Sequence, residues 1–586
     1  MIKPLQMKRL LIALAGILVL WSCKPKQHDA DMYPYDLMKT DQATLLLYEG
    51  DNTFQTDHFF DADTQIDSIG YSRPGCLQVS DEKRSFTLTC DFETLPWLSE
   101  LTFYIQGHHY SVLCKKASLT RTAFEFEVPS GVSYNKVFLH GNFGRYSDSV
   151  EMNFEGKRWQ KHLYLEPGDY TYYYRGDGKI LLPSDTDTSN GLARLTISDS
   201  YEKTATIRLK KYDKNTITIS ASQEIDEYFI FWQGYRIPPD LSGLEAMDYS
   251  FIIPAAAAKL NTSSIRIIAF NQQGITNDLL IPLINGAVAN NKSTGLESYN
   301  HLLLCFDKDS YEGTSDSLTI NNLCNATGFN TLFISDENLP ANFDPLSACI
   351  DDNLNPIYSL CFAGQKTSGY QRLLGNCNNN LIFDHQLFND AYSCFDNDSL
   401  SFGILATAMR KTLRKHGYQH RLANLLPTPV QWINAVRNPD TKAYDKLRQL
   451  TVFSMCIPGI PALLTGNELI TDIDGKTMVF IPQRMADELK TISAIRTENP
   501  ALQVGDFNIL ESVNFGFAFQ RSYFDNVVVV AFNKSDFRQI IGLNLVDVPA
   551  GLQFTDYFGS MIKQGDNYVR LDMPPHSFEI ITTNHK

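Results

Sequence analysis

The sequence predicts a multidomain chain: N-terminal β-sandwich modules of immunoglobulin-like type, a βα domain, and a C-terminal all-β sandwich. Three observations predict it. At roughly 150 residues per domain, 586 residues are too many for one core. Short alternating runs separated by turn residues fill the first half, the pattern of half-buried strands in sandwiches. After Asn290, apolar runs alternate with stretches of i, i+3, i+4 periodicity, which signals parallel βα units.

In the first module, residues 41–132, Ser85 to Cys90, Leu101 to Ile105 and Phe124 to Val128 alternate as strands. A second β module covers 133–199. A third, 200–290, alternates in Ala205 to Leu209 and Thr216 to Ser220 and closes on Ser264 to Phe270. The βα domain covers 297–485, with its clearest helices at Ser401 to His416 and Tyr444 to Cys456. Strands return in 486–586, notably Val527 to Phe532.

Composition excludes several classes. With 51 Lys+Arg against 66 Asp+Glu the net charge is −15, so there is no basic stripe for nucleic acid or an anionic membrane surface. The 43% hydrophobic content is an ordinary globular mixture, not a disordered or polytopic one. Leu10 to Trp21 is apolar, follows Lys3, Lys8 and Arg9, and is shorter than the ~20 residues a membrane span needs. Residues 1–22 therefore read as a signal peptide. Leu20-Trp21-Ser22-Cys23 resembles a bacterial lipoprotein box, which makes Cys23 the lipidation site and 23–40 a polar linker. The expected location is the cell envelope, periplasm or outer membrane. The other cysteines include no Cys-x-x-Cys pair and have no His at zinc spacing, so neither a metal nor a cofactor is expected.

Several motifs resemble the α-amylase superfamily, glycoside hydrolase family 13, and within it the exported cyclomaltodextrinase and neopullulanase-like branch. Val137 to Phe143, then Pro167-Gly168-Asp169-Tyr170 and Asp177-Gly178, resemble its N-terminal carbohydrate-binding-type sandwich. Leu302 to Lys308 resembles the first strand of its TIM-type barrel, Gly328 to Ile334 the second, and Cys456 to Glu468 with Pro458-Gly459-Ile460-Pro461 the eighth. Ile495-Arg496 with Asn499-Pro500-Ala501-Leu502 resembles the helix leading into its C-terminal domain, where Asn533-Lys534-Ser535 and Pro574 to Ser577 also match.

The resemblance implies a barrel and a retaining reaction in which two carboxylates stand roughly 5–5.5 Å apart. The implied set is an Asp nucleophile after strand four, a Glu acid after strand five and an Asp in an Asn-His-Asp triplet after strand seven. Glu297 to Phe480 holds 184 residues where such a barrel takes about 250. Only residues 341–356 separate the second strand from Ile357 to Phe362, which resembles the fifth, so strands three and four are expected to be missing and the barrel truncated. The strand-five Glu is replaced by Gln365, an amide that cannot donate a proton as a carboxylic acid does. In strand seven Asn424 remains while Leu425 and Leu426 replace His and Asp; Leu381 to His385 resembles strand six. A relocated acid set would draw on Asp336 and Glu337 with Asp307 or Asp384, although polar loop residues are the commoner reading of all four.

Sugars are held by flat aromatic faces and planar polar groups. Trp159, Tyr172, Tyr174, Trp232 and Tyr235 are the candidate carbohydrate-binding residues, with alternation directing about half of any such set into the core. The expected function is a catalytically inactive glycan-binding or accessory lipoprotein of maltodextrin metabolism. Its partners would be an α-glucan or malto-oligosaccharide, the membrane through the lipid anchor, and other saccharide-uptake proteins. The alternatives are an active glycosidase on maltodextrins or cyclodextrins, and a structural surface protein.

Overall fold

A computed structural model describes the chain from Thr44 to Thr583, apart from 308–324, 336–372, 375–381 and a number of shorter segments. Cys23 and the expected signal segment, residues 1–22, lie outside the described residues. No described helix is long and apolar enough to cross a membrane.

The first module is a two-sheet sandwich. Thr44–Leu47 runs parallel to His108–Lys116, which pairs with Leu98–Ile105 and then Ser68–Tyr71. Gly50–Gln55, Ser85–Cys90 and Leu77–Val79 form the facing sheet. Alternation sends Phe86, Leu88 and Cys90 inward against Phe59, Phe103 and Tyr110. The module ends earlier than expected. Thr120–Glu127 pairs along its whole length with Arg158–Leu165, and Phe124 and Phe126 enter the second module's core. Alternation had assigned this strand to the first sandwich; its partner corrects the boundary to the turn before Thr120.

The second module opposes that sheet with another, built around Val137–Gly141, Gly168–Gly176 and Leu192–Ile197. In the third, Ile207–Asp213, Thr216–Ala221 and Asp248–Ile252 face Glu227–Trp232, Thr262–Asn271 and Leu279–Ile284. The first and third modules dock directly. Leu98 and Leu113 meet Phe229, Phe231, Ile268 and Ile275 in a buried apolar seam. Glu100 at its edge accepts from Arg236 and from the Ser111 hydroxyl, and the Ser111 amide donates to the Gly234 carbonyl at 2.6 Å.

The βα domain centres on a parallel sheet in the order Thr331–Ser335, Leu303–Asp307, Ile460–Thr465, Leu422–Leu425, Ile382–Phe383. By the motif assignments these are strands two, one, eight, seven and six, the neighbour order of a closed eight-stranded barrel. The expected fifth strand, and the segment 341–356 from which strands three and four are inferred to be missing, lie outside the described residues. One face of the sheet buries Leu303, Cys305, Ala423, Leu425, Ile460 and Ala462. The other packs under helices His385–Asp396 and Thr441–Cys456. Gln483–Glu498 leads into the C-terminal sandwich, where Gly516–Tyr523, Asn526–Asn533 and Ser577–Thr582 face Gln539–Asn544 and Tyr568–Met573.

Candidate functional site

Barrel enzymes place their chemistry where parallel strands end, because the loops there carry side chains on a rigid rim. Asp307 and Ser335 close two of these strands. Asp336, Glu337, Gln365 and Asp384 lie outside the described residues. The strand-seven end is described, and it is apolar. Leu425 is 5% exposed and belongs to the inner-face cluster; Leu426 is 2% exposed and belongs to the helix-side core with Trp432 and Phe453.

Asn424, the retained member of that triplet, is a brace. Its amide donates to the Pro458 carbonyl at 3.1 Å across the start of the next strand. Gly459 sits there at φ +125°, and a Cβ would stand 2.7 Å from the Leu422 carbonyl and 2.8 Å from the Asn424 amide. Only glycine satisfies both the dihedral and the close approach. A small cavity beside Asn424 is lined by Leu387, Phe388, Leu425, Phe453, Ser454 and Ile457. It is on the scale of a water, not of a sugar ring. Among the described residues no cluster of three or more His, Cys, Asp or Glu side chains could hold a metal ion.

The best-matching motifs meet at one joint. Arg496, 1% exposed, donates to the Met455 carbonyl at 2.8 Å and the Gly459 carbonyl at 2.9 Å, fastening the helix end and the Pro-Gly-Ile-Pro turn together. Arg521, fully buried beside it, donates to the carbonyls of Cys456, Gly505 and Asp506. Asn499 donates to the Ile495 carbonyl and accepts from Asn526 and Thr582 of the C-terminal sandwich. Lys534, in the Asn-Lys-Ser segment, donates to Cys394, Asn397 and Leu400, the carbonyls closing helix His385–Asp396 and its following turn. Burial pushes its ammonium down, and these three acceptors hold it.

Asp506 completes the joint. It is half-buried, and burial of its carboxyl pushes the acid up to about 6, against the pull of the Ser522 amide and Arg521. A folded-state value above the unfolded 3.8 means that the folded protein holds a proton which the unfolded chain releases. Stability at this group is therefore greatest below pH 4 and falls as pH rises to about 6. Asp506→Asn, which keeps the acceptor for the Ser522 amide, is expected to flatten that slope; urea midpoints of both proteins between pH 4 and 7 check it.

The aromatic candidates separate by strand phase. Trp159, Tyr172 and Tyr174 are buried in the second module's core, and Trp232, 1% exposed, donates from Nε1 to Ser263 in the third's. This corrects the expectation that these four present binding faces: Tyr172 and Tyr174 share the inward phase, and Trp159 points inward from the facing sheet beside its cross-strand partner Phe126. Tyr235 remains half-buried at the seam between modules one and three, 5.5 Å from the His109 ring.

The phase that buries Tyr172 and Tyr174 turns Tyr173 outward. It stacks on His140 of the neighbouring strand, centroids 4.9 Å apart and planes within 5°. On the same face, Phe138 lies opposite Arg175, which pairs with Ile180, 66% exposed, and Thr171 lies opposite Arg194. The Tyr173 ring, stacked on the buried His140 and sharing its face with Arg175 and Arg194, is the surface the sequence reading missed. The Tyr-Tyr-Tyr run held the signal, but not which of its rings faces out.

No family model matches the chain. A curated cyclomaltodextrinase from Thermoanaerobacter pseudethanolicus is 28% identical over 111 residues, 17% of this chain and 19% of that protein. The likeness is to the α-amylase family. The match spans about a fifth of that relative's length. Among solved structures, an Anoxybacillus α-amylase covers 46% of this chain and 63% of its own, at 16% identity and a TM-score of 0.33. A maltogenic amylase from S. marinus covers 79% and 96%, at 10% identity and a TM-score of 0.34. Neither fold nor function follows from scores this low. The segments Pro458-Gly459-Ile460-Pro461 and Asn499-Pro500-Ala501-Leu502 meet where the parallel-sheet domain joins the C-terminal sandwich.

Proposed function

We propose that this protein is a non-catalytic α-glucan-binding protein, related to α-amylase-family enzymes of maltodextrin metabolism, exported and held at the cell envelope by a lipid on Cys23. In this reading a barrel that has lost strands follows immunoglobulin-like modules. It serves as scaffold while the second module holds the sugar. The observation that carries the proposal is the burial of Leu425 and Leu426 in apolar clusters, at the positions where the resemblance implies His and Asp. The motif residues Arg496, Asn499 and Lys534 support it, since their hydrogen bonds are those of a joint.

The outward Tyr173 ring, backed by the buried His140, supports glucan as the ligand, because a pyranose offers an apolar C–H face to a flat ring and hydroxyls to the arginines, Arg175 and Arg194, that share this sheet face. Tyr173→Ala is expected to weaken maltoheptaose binding about tenfold with the fold unchanged, as titration calorimetry would show. No heat from the unsubstituted protein at millimolar sugar would favour a structural surface role instead.

Hydrolysis assays on maltoheptaose, cyclodextrin and pullulan test the catalytic side. Turnover that disappears in Asp336→Asn or Glu337→Gln would replace this reading with that of an active glycosidase. For the anchor, Cys23→Ala is expected to abolish incorporation of labelled fatty acid and release the protein from the membrane fraction.

A further inference from the structure

The outer face of the first module's larger sheet is only half covered. Leu98, Glu100, Leu113 and Ser111 lie under the third module, while the next rows along the same strands stay open. In those rows Gly70 pairs with Thr102, which pairs with Ser111; Ser68 pairs with Tyr104, which pairs with His109. Tyr104 is 45% exposed and leans across Gly70 toward the seam, its Cε2 3.4 Å from where a glycine Cβ would stand. Tyr235 rises from the third module at the border, its ring 5.5 Å from His109 and tilted by 44°. The result is a step: a sheet floor carrying Tyr104, Thr102 and His109, and a riser carrying Tyr235.

Among the described residues the two rows carry no carboxylate; Glu100, on the next row toward the third module, is tied to Arg236 and Ser111 inside the seam. On a chain of net charge −15, an aromatic step whose described residues carry no unpaired carboxylate or ammonium suits a neutral ligand rather than a cation or a peptide of fixed sign. Its rings offer stacking faces, and the hydroxyls of Tyr104 and Thr102 offer hydrogen bonds at the rim, the combination that holds a neutral polyhydroxylated ring. We propose that this step is a second saccharide-stacking site, made jointly by the first and third modules and separate from the Tyr173 face. It rests on the glucan-binding reading above for the identity of the sugar. With two faces on one chain, a long glucan would gain avidity from being held twice.

Calorimetry of the full chain with maltoheptaose tests it. Two classes of site are expected, with Tyr104→Ala weakening one about tenfold and Tyr173→Ala the other. Tyr104 is a surface side chain, and an unchanged thermal midpoint would show that its variant folds. A single class abolished by Tyr173→Ala and indifferent to Tyr104→Ala would overturn the step site and leave the second-module reading intact. Binding lost in Tyr104→Ala but indifferent to Tyr173→Ala would establish the step and overturn the Tyr173 face. No binding by the unsubstituted chain would overturn both.

Discussion

Leu426→Asp, which restores the acid that the amylase resemblance implies, is expected to unfold the βα domain rather than revive hydrolysis. Leu426 is 2% exposed in the largest apolar cluster of the chain, and its amide is already committed to the Ala462 carbonyl. A carboxylate there meets only apolar side chains of this cluster among the described residues, and an uncompensated buried charge costs about 3–5 kcal/mol. That is a large part of a typical domain's stability of about 5–15 kcal/mol. The cost has a pH signature. Burial raises the acid's folded-state value above its unfolded one, so the variant is least destabilised in acid and loses stability as pH rises through the carboxylate range. Urea unfolding at pH 4 and pH 7 should separate variant from parent far more at pH 7. A variant as stable as its parent at pH 7 would mean that this strand end opens to water, and the non-catalytic reading would lose its main support. The neighbouring Leu425 sits in the inner-face cluster, so a single reverse substitution meets the same obstacle at either position.

How far the sequence could be read divides along the range of its interactions. The alternation in Ser85–Cys90 located strand and inward face together, because side-chain phase is local. Sheet partners are not local. Thr120–Glu127 alternates equally well in either sandwich, and only its pairing with Arg158–Leu165 assigns it to the second. The Tyr172, Tyr173 and Tyr174 run shows the remaining ambiguity: a period of two is evident in three successive tyrosines, but its phase is set by Phe124 and Phe126 on a strand 49 residues away, where Tyr174 reaches the Glu125 carbonyl. The parallel strands were legible as apolar runs, and their motifs gave the neighbour order. The joint was not legible, since an arginine in a helical pattern reads as surface until its carbonyl partners are known. The acids Asp336, Glu337 and Asp384 and the amide Gln365 lie outside the described residues.

Arg496→Ala is the second large effect, and it tests whether the retained motifs work as a joint. The guanidinium is buried, and burial lowers it to about 10, so it stays charged at neutral pH. Its worth lies in the two carbonyls it satisfies, those of Met455 and Gly459, which no water can reach once it is gone. Each buried acceptor left unpaired costs about 1–3 kcal/mol, so the substitution is expected to cost about 4 kcal/mol before any loss of packing. An Arg538→Ala change makes the comparison: that side chain is 68% exposed in its pair with Asp572, and its loss is expected to stay within about 1 kcal/mol. Arg496→Lys should fall between, because a single ammonium lacks the two-pronged geometry that spans both carbonyls. The position of the loss matters as much as its size. Met455 ends a helix on the parallel sheet, Gly459 opens the next strand, and Arg496 leads to Asn499, which is bound to Asn526 and Thr582 of the last sandwich. Cutting at Arg496 should therefore lower the urea midpoints of the sheet domain, followed by the fluorescence of Trp432, and of the C-terminal sandwich, followed by limited proteolysis of residues 486–586, together. A loss confined to one of them would mean that the motif segments stabilise each domain separately. Equal loss in both would mean that the Pro-Gly-Ile-Pro and Asn-Pro-Ala-Leu segments are required for two domains to share one core.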